Sequence, residues 1–108
     1  MKETIGEYIH KLRLENNLTL TKLAASLDID QSTLCKIEKG KRSVNEELLP
    51  KISNVFNIDI KFLEKEYFSE KIAELIYKEE DTKSLFLLAE EKAKYYRVQK
   101  TTQGTINF

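Results

Sequence analysis

Apolar residues recur at helical spacing along most of the chain. Ile5, Tyr8, Ile9 and Leu12 fall three or four residues apart, the period of a helix with one buried face. Thr4 and Glu7 stand just before and within this run in capping-box register, where the hydroxyl takes a free amide of the first turn and the glutamate reaches back to the cap. The pattern predicts a first helix from Ile5 to about Glu15, ended at Asn16-Asn17, which tolerate a left-handed backbone. Leu20, Leu23, Ala24 and Leu27 form the stripe of a short second helix capped by Thr19. Asp28-Ile29-Asp30 is long enough only for a tight turn, with positive φ expected at Asp28. Asp30 caps a third helix, Gln31 to about Lys39, with Leu34, Ile37 and Glu38 inward; Gly40 stops it. After a loop over 41–45, a fourth helix is expected from about Glu47 to Phe56, with Pro50 in its first turn. Asn57 ends that helix, and Asp59 caps a fifth, Ile60 to about Lys65.

The pattern continues beyond this bundle. Ser69 reads as the cap of a sixth helix, Glu70 to about Lys78, with Ile72, Leu75 and Ile76 on one side. Glu79-Glu80-Asp81 is an acidic break, and Asp81 a cap for a seventh helix from Thr82 to about Val98, apolar at Leu85, Leu88, Ala89 and Tyr96. Thr101 to Phe108 have no period and read as a tail. The expected fold is therefore all-α. A five-helix domain occupies residues 1–66, a two-helix extension 67–100 and a tail 101–108. Three glycines, one proline and no tryptophan supply too few turns for a β-sandwich.

Composition narrows the function classes. The chain has 108 residues, 41% hydrophobic and 33% charged, enough apolar material for one small folded domain with an extension. Eighteen basic residues balance eighteen acidic ones, so bulk charge gives no reason to expect nucleic acid; such a site has to come from local placement. The single cysteine, Cys35, excludes an internal disulfide and a paired-cysteine metal or redox site, and on the flank of the third helix it reads as a packing residue. It suits a reducing cytoplasm. Met-Lys-Glu-Thr carries no apolar signal segment, and the longest apolar run, Leu85–Ala89, is far short of the ~20 residues of a membrane span. A cytoplasmic protein with no membrane partner is expected. His10 reads as a lone surface residue without metal-binding neighbours. Glu79-Glu80-Asp81 and Glu90-Glu91 neighbour lysines on amphipathic helices and read as solvated faces. With no nucleophile–base pair, phosphate loop or metal cluster, no enzyme and no cofactor are expected.

The second and third helices, joined by a three-residue turn, have the proportions of a helix-turn-helix, whose second helix enters the major groove of DNA. Ala24 is small where the two helices would cross, and Leu23, Leu27, Ile29, Leu34 and Ile37 supply the wedge that sets the crossing. At about 100° per residue, Ser32, Lys36 and Lys39 lie opposite Leu34, Ile37 and Glu38, with Thr33 on the flank and Gln31 in the first turn. Glutamine can take adenine with two hydrogen bonds and lysine can donate to guanine. From Lys36 to Arg42, four basic residues (Lys36, Lys39, Lys41, Arg42) face one acid, Glu38. This is the densest positive cluster in the chain, and phosphates would attract it.

The run from Leu18 to Arg42 resembles the phage repressor/Cro-type (XRE) helix-turn-helix family. The ending Ile37-Glu38-Lys39-Gly40-Lys41-Arg42 and the later Phe56-Asn57-Ile58-Asp59 and Leu63 fall at that family's spacing, and the likeness covers roughly residues 5–66. The resemblance implies a five-helix DNA-binding domain that works as a homodimer on a two-fold operator of double-stranded DNA. It places base reading on Gln31, Ser32 and Lys36. Phosphate contacts fall on Thr21, Lys22, Lys39, Lys41, Arg42 and Ser43, with Thr33 at the margin of the DNA face. Arg13 and Glu38 match an ion pair that links the first helix to the third. Two positions depart from the pattern: Leu20 stands where the family often has a phosphate-holding glutamine, and Asp28 where the turn usually has glycine.

The usual dimer contact of the family implies Ile58, Ile60, Phe62 and Leu63 at the interface. The seventh helix, through Leu85, Leu88 and Tyr96, is expected to enlarge it, because a lone two-helix hairpin buries little of its own apolar face. Size and form are similar to small controller proteins of restriction–modification systems and to stand-alone phage repressors. The rival expectation is an antitoxin-type interaction module whose C-terminal helices bind a partner protein such as a toxin.

Overall fold

The computed structural model describes residues 3–103, and its regular elements are all helical. The backbone contacts divide the chain into two compact units, Met1–Glu74 and Leu75–Phe108.

The first unit begins with α1 (Ile5–Glu15), α2 (Leu20–Leu27) and α3 (Gln31–Glu38). Each is started by a side chain that satisfies an amide of the first turn, as helix ends require. Thr4 accepts from the Glu7 amide at 3.1 Å while Glu7 accepts from the Thr4 amide at 2.9 Å, so the capping box is complete. Thr19 accepts from the Lys22 amide at 3.1 Å and Asp30 from the Thr33 amide at 2.7 Å. Left-handed residues close the helices: Asn17 lies at φ 54°, Asp28 at φ 58° and Gly40 at φ 76°. A short 3-10 turn, Glu46–Leu48, then leads into α4 (Leu49–Phe56), which ends on Asn57 at φ 54°. The expected fourth helix thus opens as a 3-10 turn capped by Asn45, with Pro50 in the first turn of the α-helical part.

The core of this unit is apolar and contributed by every helix. Ile5 and Ile9 of α1, Leu23, Ala24 and Leu27 of α2, Leu34 and Ile37 of α3, Leu49 and Ile52 of α4 and Leu63 of the next helix, α5 (Ile60–Ile76), are buried together with Val44 and Leu48. Burying side chains of this size is the main favourable term in folding. Gly6 lies against the backbone of Ile37, and a Cβ there would run into the Ile37 carbonyl. The missing side chain lets α1 approach α3 this closely.

Two expectations are corrected. The fifth and sixth helices are one: α5 runs unbroken from Ile60 to Ile76. Ser69 caps nothing, since its hydroxyl donates to the Glu66 carbonyl at 3.0 Å inside the helix. Between Lys65 and Glu70 there is no glycine or proline, so nothing in the backbone forces a break, and serine is accommodated by bonding back to the preceding turn. The last helix, α6, is also longer than expected. It spans Thr82–Gln103, taking in Thr101, Thr102 and Gln103 of the expected tail; residues 104–108 lie outside the described residues. Asp81 starts α6 as expected, accepting from the Ser84 amide at 3.2 Å.

In the second unit α6 has no buried residue among those described. Leu85, Phe86, Leu87, Leu88, Tyr95, Tyr96 and Val98 are all exposed. No helix among the described residues is long and apolar enough to cross a membrane.

Candidate nucleic-acid interface

The outer face of α3 is prepared by what its inner face does. Leu34, Ile37 and Glu38 are buried, which turns Gln31, Ser32 and Lys36 to solvent, and all three are exposed. The tight turn that carries α3 closes on itself: the Asp28 amide donates to the Ala25 carbonyl at 3.2 Å and the Ile29 amide to the Ala24 carbonyl at 3.0 Å. Ile29 packs against the core, so the start of α3 is fixed by both hydrogen bonds and burial.

Gln31 is held from α2. The Thr21 hydroxyl donates to Gln31 Oε1 at 2.7 Å, which leaves the Gln31 amide nitrogen and the second lone pair of its oxygen facing outward. Thr21, expected at phosphates, is thereby also a buttress for a side chain expected to read bases. Gln31, Ser32, Lys36, Lys39 and Lys41 border one shallow concavity, and Leu20 and Cys35 line it with them. The sequence reading gave Leu20 to the second helix's stripe and Cys35 to packing, and assigned neither to the site. The signal for Cys35 was present in the spacing, since Gln31 and Cys35 are four apart on one helix and share a side; the approach of Leu20 depends on the α2–α3 crossing.

Lys22 is exposed on α2, and Thr33 is half-buried with its amide taken by Asp30. Arg42 and Ser43 are exposed but border a second depression, formed with Thr4, Gly6, Gly40, Glu70 and Glu74. Of the expected DNA-facing residues, Gln31, Ser32, Lys36, Lys39 and Lys41 therefore border the concavity, and Arg42 and Ser43 the second depression.

The charge of this face follows from where Glu38 points. Glu38 is 8% exposed. Its Oε2 accepts from Arg13 Nε at 2.8 Å, its Oε1 accepts from Arg13 Nη2 at 3.0 Å, and the same Oε1 is paired with His10 Nδ1 at 2.6 Å. Arg13 also donates through Nη1 to the Leu18 carbonyl at 3.0 Å. One guanidinium thus ties α1, the α1–α2 connection and α3 together, and the geometry is the fork that arginine supplies and lysine does not. His10, read from sequence as a lone surface residue, belongs to this cluster. With the only acid of the 36–42 stretch turned inward and paired, Lys36, Lys39, Lys41 and Arg42 are exposed without it. Asp30 is the nearby acid that stays outward. Its carboxyl is held below the usual aspartate range chiefly by the Thr33 amide hydrogen bond, with the charges of Arg42 and Lys36 adding to the effect.

A helix-turn-helix family model matches residues 9–63. The chain belongs to the Cro-type (XRE) helix-turn-helix family of DNA-binding transcriptional regulators. Neither the curated proteins nor the solved structures compared with it give a match. The family match runs from within α1 to the beginning of α5, and within it lie the α2–α3 pair, the Arg13–Glu38 ion pair and the concavity.

The residues expected at a dimer contact are less uniform. Ile58 and Ile60 are half-buried and packed against the core of their own chain. Phe62 is exposed and meets Tyr8 edge-on, with ring centroids 6.0 Å apart. Leu63 is corrected: its exposure is 0%, so it packs inside its own unit and has no surface left for a partner. Leu85, Leu88 and Tyr96 are exposed on α6.

Proposed function

We propose that this regulator acts in the cytoplasm as a homodimer on a two-fold site in duplex DNA, each α3 entering the major groove of one half-site. Gln31, Ser32 and Lys36 read base edges, while Thr21, Lys22, Lys39, Lys41, Arg42 and Ser43 hold phosphates. The observation that carries this reading is the sorting of charge on α3. Its one acid is buried on Arg13 and His10, while its Gln31 and Lys36, with Lys39 and Lys41 just beyond the helix, are exposed round a single concavity. A solvated helix face would not require an inward, fully paired glutamate beneath an outward row of cations. The homodimer is supported by the exposed apolar residues of α6. A two-fold site of this kind takes its two reading helices about one turn of DNA apart.

Base contacts and phosphate contacts fail differently, and that provides the test. Lys36→Ala is expected to relax preference at its base position, lowering the ratio of operator to scrambled-DNA affinity by roughly tenfold, the range of one lost base contact. Lys41→Ala is expected to weaken binding to both DNAs alike and to reduce the slope of log affinity against log salt by about one. Fluorescence anisotropy titrations at several salt concentrations read both. Equal losses on operator and scrambled DNA for the two variants would overturn the assignment.

A further inference from the structure

We propose that Leu20 and Cys35 form the floor of a notch that reads the 5-methyl group of a thymine in the half-site. Leu20 opens α2 and Cys35 lies in α3, and the two line the same concavity, bordered by Gln31, Lys36 and Lys39. Both are half-buried. Leu20 also packs against the core, so its outward carbons are held in place before any ligand arrives. A leucine side chain offers no hydrogen bond and a thiol only a weak one, so the floor selects shape and apolar surface.

The occupant follows from the border. Its lysines draw a polyanion, and the Thr21-held amide of Gln31 stands at the edge, where base edges are hydrogen-bonded. Of the groups that bases present in the major groove, one alone is apolar: the thymine C5-methyl. Cytosine presents an amino donor there, and the purines present N7 with a further donor or acceptor. An apolar floor beside a fixed hydrogen-bonding amide therefore fits a thymine methyl, and the residue that replaces the family's frequent glutamine at position 20 becomes a specificity determinant. The inference rests on the reading that α3 enters the major groove.

The test removes the methyl and nothing else. The preferred half-site is selected from random duplex DNA with the full chain, and each of its thymines is then replaced singly by uracil, which keeps O4 and the base pair. One thymine per half-site is expected to lose about fourfold in affinity. That is the ~0.8 kcal/mol of burying one methyl-sized group, converted at 1.4 kcal/mol per tenfold. The loss is expected to vanish in Leu20→Ala and to shrink in Cys35→Ser; the second variant leaves α2 packing intact should the first unfold. Uracil tolerated within twofold at every position overturns the notch while leaving base reading by α3 in place. A uracil effect undiminished in a folded Leu20→Ala protein and in Cys35→Ser assigns the methyl contact elsewhere and also overturns it. Recovery of no preferred sequence overturns the groove-reading model on which it rests.

Discussion

Glu38 sits in the most basic stretch of the chain, yet its carboxylate points inward onto Arg13 and His10. Its helical position, on the side of Leu34 and Ile37, made the inward direction legible from spacing. The participation of His10 was not, because it depends on how closely α1 lies on α3. Gly6 governs that approach. In an ordinary helix, replacing glycine by alanine stabilises by about 1 kcal/mol. Here the sign reverses, since the added Cβ meets the Ile37 carbonyl, a backbone atom that can move only if a helix moves. Gly6→Ala is expected to destabilise by about 2 kcal/mol, read from urea unfolding, and to lower operator affinity by displacing α3. Glu70 gives a second prediction. Its Oε1 accepts from the Ile5 amide at 3.2 Å, but burial outweighs that bond and raises its carboxyl above the usual glutamate value. The folded chain therefore holds this proton more tightly than the unfolded chain, and stability from this group is lost as pH rises through the raised value. Glu70→Gln keeps an acceptor without the charge. Its melting temperature is expected to match wild type below about pH 4, the ordinary glutamate range, and to exceed it at pH 7. A lower value at pH 7 would mean that the charge at the α1 start matters more than its burial.

Helix starts were readable because a cap is a local bond between a side chain and an amide two or three residues on. Thr4, Thr19, Asp30 and Asp81 all make the bond their spacing announces. Ser69 shows why the same signal misleads. Serine can also sit inside a helix and bond back to the preceding turn, and only the continuity of α5 distinguishes the two cases. Proline separates them experimentally. Inside a continuous helix Ser69→Pro removes a backbone N–H hydrogen bond and clashes with the turn before it, a loss of about 3 kcal/mol. At the start of a helix it would be nearly neutral. The expected result is the large loss, with hydrogen-exchange protection falling around residues 65–73; a neutral variant would restore two separate helices. The positive φ of Asp28 was equally local, since a three-residue turn between two helices leaves few backbone solutions.

At the scale of the molecule, the two units carry different kinds of surface. The first has a continuous core and an exposed basic face on and after α3. The second exposes leucines and tyrosines along α6, and a cluster of exposed large apolar residues is what an association surface offers. Leu85→Glu with Leu88→Glu leaves every buried core residue untouched. It is expected to convert a dimer to a monomer by sedimentation velocity and to weaken operator binding at least tenfold while circular dichroism stays helical. A double variant that remains dimeric would remove α6 from the interface. The sequence by itself determined α1, α2 and α3, their caps, the inward side of α3 and the basic cluster after it, because each depends on neighbours within one or two turns. Tertiary packing alone decided that Leu63 is core, that His10 joins Arg13 on Glu38, that Thr21 holds Gln31, and that Leu20 and Cys35 line one concavity with Gln31 and Lys36. Those facts depend on the angle and distance at which helices cross, which side-chain shape sets in three dimensions and periodicity along one chain does not record.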